Sequence, residues 1–174
     1  MKMRFVLVCG LILSVVTSKA QTAFEEISAD PNKSASVYYA YPEISEQYTL
    51  PPEGYTPFYI SHYGRHGSRY LISDSEYQTV MEILDKADAV GFLTDKGKSV
   101  RSRLEVVWRD AEGLGGQLTP LGYRQHRSIS ERMFYNFPDV FKGKRKISAC
   151  STVVIRCALS MATFCETLKG LNPE

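Results

Sequence analysis

The sequence predicts an α/β fold, and three observations carry that expectation. Residues Pro57–His62 form an apolar, β-branched and aromatic run, PFYISH, that empties into a polar, glycine-punctuated loop. Residues Arg145–Cys150 make a second short strand candidate. Between and after them lie segments with apolar residues at three- and four-residue spacing. Two strands joined through helices suggest a parallel pair in a layered fold, although two or three strands make a thin sheet. Parallel neighbours would place both C-terminal ends on one edge, bringing Arg156 to Arg65 and Arg69.

The chain of 174 residues fits one domain, and 44% hydrophobic residues are ample for a core. Lys2 and Arg4 precede the apolar run Phe5–Val16, and Ser18-Lys19-Ala20 offers a small-x-small cleavage site before Gln21. Residues 1–20 therefore read as a secretory signal peptide, too short for a membrane span. Cys9 lies inside that run rather than at its end, which favours simple cleavage over a lipid anchor. Cleavage removes Lys2, Arg4 and Lys19 and no acid, so 21 basic residues fall to 18 against 19 acidic, a net charge of about −1. That balance gives no reason to expect a nucleic-acid or membrane-surface partner. The protein is expected to be exported, to the periplasm, cell envelope or extracellular space. Three cysteines would remain after cleavage, Cys150, Cys157 and Cys165, an odd number that leaves at least one thiol free or paired outside the chain.

Residues 21–56 show little periodicity. Asp30-Pro31-Asn32 and Pro51-Pro52-Glu53-Gly54 punctuate them, so they read as an extended or irregular arm over the domain. Residues 57–174 form the domain proper. Ser73-Asp74-Ser75-Glu76 is a capping box opening a helix to about Val90, which Gly91 ends. Thr94-Asp95 starts a second helix carrying Leu104, Trp108 and Ala111. Thr119 as N-cap with Pro120 behind it starts a third, which stops before Pro138. Ser151-Thr152 turns into a last helix ending near Gly170.

The chemistry concentrates in Arg65-His66-Gly67-Ser68-Arg69. Arginine forks hold a phosphate or carboxylate, and an imidazole between them can attack it. This segment resembles the RHGxR signature of the histidine acid phosphatases, the second branch of the histidine phosphatase superfamily. Leu118-Thr119-Pro120-Leu121-Gly122 resembles that family's LTPxG segment. Arg156, at the start of a helix with Ser160 and Ala162, resembles the family's third phosphate-binding arginine. These ordered matches span roughly Pro57 to Gly170, and the wording Gly-Arg-His-Gly-Ser-Arg-Tyr looks most like the multiple inositol polyphosphate phosphatase (phytase) group. The resemblance implies the α/β/α fold of the phosphoglycerate mutase-like enzymes, here with an incomplete sheet and a helical insertion. It also implies an exported phosphomonoester hydrolase, a phytase-like acid phosphatase acting on inositol polyphosphates. His66 would be the nucleophile forming a phosphohistidine, and Arg65, Arg69 and Arg156 would clamp the phosphoryl oxygens. No metal or cofactor is expected, because three arginines can neutralise the phosphoryl group and the sequence offers only three histidines and no clustered carboxylates.

The chain departs from the family's pattern in places. Leu71 stands where a proline is frequent, and Thr152–Ile155 lack the acidic residue often found before the third arginine. The family's proton donor follows a second histidine in an HAE or HD motif, yet no histidine follows His126. The chain is therefore expected to be the N-terminal part of a longer phosphatase, with its rate lowered by about two to four orders of magnitude. The alternative is a non-catalytic, phosphate-binding remnant of such an enzyme. A mutase-like first-branch enzyme is disfavoured by Arg69 and the leader.

Other residues read blandly. His62 and His126 are expected to be packed or solvated, and the run Lys142–Lys146 to be a solvated loop. Ser68 either donates to phosphate or merely tolerates the loop. Cys157 and Cys165 are too far apart on one helix to pair.

Overall fold

Local capping chemistry sets most helix boundaries in this chain, and the computed structural model describes them over residues 22–44 and 48–173. The expected signal peptide, residues 1–20, lies outside the described residues. The chain divides into two compact units, Met1–Tyr39 and Ala40–Glu174.

The first unit contains helix α1, Ala23–Ala29, and a 3₁₀ segment, Pro31–Tyr38. Residues 23–29 and 31–38 are thus helical, against the expectation of an extended or irregular arm. Thr22 and Glu25 form a reciprocal capping box that starts α1. Asp30-Pro31, read from sequence as a break, is the cap and first position of the next turn, and the Asp30 carboxylate accepts from the Asn32 N–H at 3.1 Å. Ser36 sits at φ 48°, a left-handed kink inside that segment.

The second unit holds four longer helices: α2, Asp74–Ala89; α3, Asp95–Ala111; α4, Pro120–Asn136; and α5, Ile155–Leu171. A short 3₁₀ turn, Pro138–Phe141, follows α4. Glu76 accepts from the Ser73 N–H at 3.0 Å. Thr94 and Thr119 accept from Gly97 and Gly122 at 3.2 and 3.1 Å. Gly91, at φ 73°, ends α2 where a residue with a Cβ would be strained. Helices α2 and α3 pair as a hairpin in which Tyr77 meets Trp108 at 5.9 Å between ring centroids. Arg101 braces it against Asp85, Asp88 and Glu105. Helices α4 and α5 form the other pair.

The predicted α/β class is overturned. Helix accounts for 58% of the structure, and among the described residues there is no strand or sheet, so the fold is all-α. Residues 57–62 and 145–150 are irregular and largely exposed, and they form no backbone hydrogen bond with each other. Their composition favours a strand, but an extended backbone becomes one only when a neighbour accepts and donates its hydrogen bonds. The β-like contact that does form is an isolated antiparallel bridge between Arg69 and Leu118. Gly116 N–H donates to the Leu71 carbonyl at 2.7 Å, Tyr70 N–H to Gln117 at 3.0 Å, and Thr119 N–H to Ser68 at 2.9 Å.

The bridge presses two glycines together. A Cβ on Gly67 would lie 2.5 Å from the Gly122 carbonyl oxygen, and one on Gly122 would collide with the Ser68 carbonyl. Glycine to alanine inside a helix normally adds about 1 kcal/mol of stability. Here Gly122→Ala is expected to reverse that sign and cost about 1–3 kcal/mol, because backbone must shift. Thr119→Ala should cost about 1–2 kcal/mol through the lost cap. Urea unfolding midpoints of both variants check the signs and sizes.

Candidate phosphate site

Three segments distant in sequence converge on residues 65–69. The loop is held first by the bridge to Leu118. The Thr119 hydroxyl donates to the Ser68 carbonyl at 2.9 Å while accepting from Gly122, so one side chain both caps α4 and fixes the loop. Gln125, one turn further along α4, accepts from the Ser68 N–H at 2.8 Å. That bond uses the backbone of Ser68.

The second anchor is α5. Gly67 N–H donates to Ser160 Oγ at 3.1 Å, and the same hydroxyl donates to the Arg156 carbonyl at 2.8 Å. Both Gly67 and Ser160 are buried, so this is a dry link between the His66 loop and the turn bearing Arg156. Arg156 occupies the second residue of α5, where a cation opposes the helix dipole and an anion would be favoured. Its Nη1 reaches the Gly116 carbonyl only at 3.5 Å, and its buried Nε has no hydrogen-bond partner. Arg69 donates from Nη1 to the Tyr70 carbonyl at 2.8 Å. Arg69 and Arg156 therefore both flank the 116–118 segment, Arg69 by its backbone bridge and Arg156 by its guanidinium.

His66 sits between these anchors, half-buried. Its Nδ1 lies 2.7 Å from the Gly67 carbonyl, which can only accept. In the neutral ring Nδ1 therefore carries the proton, and Nε2 holds the lone pair. Arg65 points to a different neighbour: its guanidinium stands over the Tyr41 ring, 5.2 Å from the centroid. Sequence reasoning missed Tyr41, Gln125 and the role of Ser160, since each acts across a long chain separation with no local pattern.

Of the histidines read as bland, His62 stacks on Phe164 at 5.1 Å and 9° between ring planes. His126 is buried on α4, in a T-shaped contact with Tyr41 at 5.9 Å between centroids, and neither ring nitrogen makes a hydrogen bond. Burial holds its pKa below the ordinary histidine value. The nearby Arg65 carbonyl pulls the other way, at a geometry too poor to satisfy either nitrogen, and charge on His62 and His66 lowers it further. Lys142–Lys146 form an exposed loop around Gly143, at φ 69°. Cys150, Cys157 and Cys165 are free thiols, and burial pushes Cys165 up. Among the described residues no cluster of three or more His, Cys, Asp or Glu is placed to hold a metal ion. No helix among them is long and apolar enough to cross a membrane.

The depressed His126 fixes the sign of a pH effect. The unfolded chain takes up this proton near pH 6.5 and the folded chain resists it, so stability falls as pH drops below about 6.5. His126→Phe should flatten the fall between pH 7 and 5, as read from urea midpoints across that range.

Comparison of the chain with protein-family models and with curated proteins gives no match.

Proposed function

We propose that this protein is an exported phosphomonoester hydrolase of the histidine acid phosphatase type, acting on inositol polyphosphates through a phosphohistidine at His66. The observation that carries the reading is the link from Gly67 through Ser160 to Arg156. It ties the turn bearing the third arginine to the residue next to His66, and the buried Nε of that arginine has no hydrogen-bond partner. An unpaired buried N–H is costly, and an anionic oxygen is the group best suited to relieve it. The motif resemblance supplies the substrate class. The all-α structure lacks the α/β/α fold that the resemblance implies, so the reading rests on the site residues and not on the fold.

The chemistry follows from the tautomer. The His66 Nε2 lone pair attacks phosphorus, the P–N bond forms, and the P–O bond to the inositol ring breaks. Arg65, Arg69 and Arg156 offset charge on the phosphoryl oxygens, the main requirement of a loose transition state. These 174 residues contain no HAE or HD motif, so within them alone water is the proton source for the leaving oxygen. Water then attacks phosphorus, releasing inorganic phosphate and restoring Nε2. For these residues taken alone, departure of the alkoxide without a positioned acid is slow, by about 10²–10⁴-fold.

The missing motif also motivates a second reading, a domain that binds phosphate-rich ligands without turnover. Incubation with radiolabelled inositol hexakisphosphate separates the two. The expected result is an acid-labile, alkali-stable phosphoprotein that His66→Ala abolishes, together with slow phosphate release that falls at least about 10³-fold. Phosphate release undiminished in His66→Ala overturns the proposal. Calorimetric binding of inositol hexakisphosphate with no phosphohistidine establishes the binding-only reading instead.

A further inference from the structure

The 65–69 loop is pinned by side chains from elsewhere at three of its residues. Gly67 is held by Ser160, and Ser68 by Gln125 and Thr119. The third pin is at Arg65 and comes from Tyr41, 24 residues earlier in the chain. The Tyr41 hydroxyl donates to the Arg65 carbonyl at 2.5 Å. Its ring face lies under the Arg65 guanidinium, and the same ring makes a T-shaped contact with His126 of α4. Three contacts from one residue thus meet the backbone of Arg65, its side chain and the helix that supports the loop.

We propose that Tyr41 is the positioning residue of the phosphate loop, fixing the Arg65 carbonyl by its hydroxyl and the Arg65 guanidinium by its ring. This rests on the reading of residues 65–69 as a phosphate site. The two halves of the side chain act differently. The hydroxyl holds the peptide plane that precedes His66, so with the Gly67 pin it brackets the imidazole on both sides. The ring restrains an arginine on an exposed stretch of the loop, whose long side chain otherwise samples many rotamers. A cation over an aromatic face is held by the ring's quadrupole rather than by a hydrogen bond. The contact therefore pre-orients Arg65, and pre-orientation lowers the entropic cost of binding.

Calorimetric titration of the full chain with orthovanadate, a phosphate analogue, tests the assignment. Tyr41→Phe keeps the ring and should bind within about 3-fold of wild type. Tyr41→Ala should bind about 10-fold more weakly. In an Arg65→Ala background the guanidinium is gone and only the carbonyl remains to be held, so the same Tyr41→Ala change should weaken binding by no more than the roughly 3-fold allowed for the hydroxyl. A merely structural role predicts equal losses in both backgrounds, and that result overturns the inference. So does unchanged affinity in Tyr41→Ala. If that variant fails to fold, Tyr41→Leu retains apolar bulk without a π face and carries the same expected loss. Wild-type chain that does not bind vanadate overturns the phosphate-site reading and this inference with it. Wild-type binding that survives in Tyr41→Ala overturns the inference alone.

Discussion

The pairing of residues 68–71 with 116–119 is the constraint on which the site depends. Three backbone hydrogen bonds and the Thr119 hydroxyl hold two short segments together across some fifty residues of chain. Neither segment has apolar bulk enough to impose this contact by burial alone, although Leu118 is buried at the centre. Directional bonds set the register, and the facing glycines allow the backbones to approach closely enough to make it. The start of α4 is thereby delivered to the loop that carries His66.

Helices α4 and α5 supply the platform. Their shared interior contains small polar residues as well as aliphatic ones. Ser130, Ser160 and Thr163 are buried, and the latter two back-bond to carbonyls one turn earlier on their own helix. Ser130 instead donates across the pair, to Phe164. Small side chains let the helices approach closely. A hydroxyl satisfied by its own helix can still accept from outside, and Ser160 uses that capacity for Gly67. The link between loop and Arg156 is thus an extension of helix packing, so the geometry of the arginine is tied to the rigid part of the unit.

Legibility in the sequence divided along the range of the interactions. Ser73 with Glu76, Thr94, Thr119 with Pro120, and Gly91 act within one helical turn, and each placed a helix end where the structure has it. The strand expectation failed at residues 57–62 and 145–150 because composition reports only a preference, while pairing needs a partner that composition does not reveal. Asp30-Pro31 has the composition of a break, yet it caps and opens the next turn. The RHGSR segment stood out through its own unusual chemistry. Its supports did not: Tyr41, Gln125 and Ser160 are ordinary residues whose importance comes from where the chain returns them.

The Leu71–Gly116 hydrogen bond closes off everything between those residues. The α2–α3 hairpin leaves and re-enters the unit at almost one point, and its base is sealed by bonds from Leu71 N–H to the Tyr77 phenol and from Gly113 N–H to Asp74. The entropy of closing such an excursion grows only logarithmically with its length, each doubling adding about 0.6 kcal/mol. The hairpin can therefore lengthen, shorten or be exchanged for an unrelated insert over evolutionary time, or by circular permutation within it, while the two segments that frame His66 stay in register.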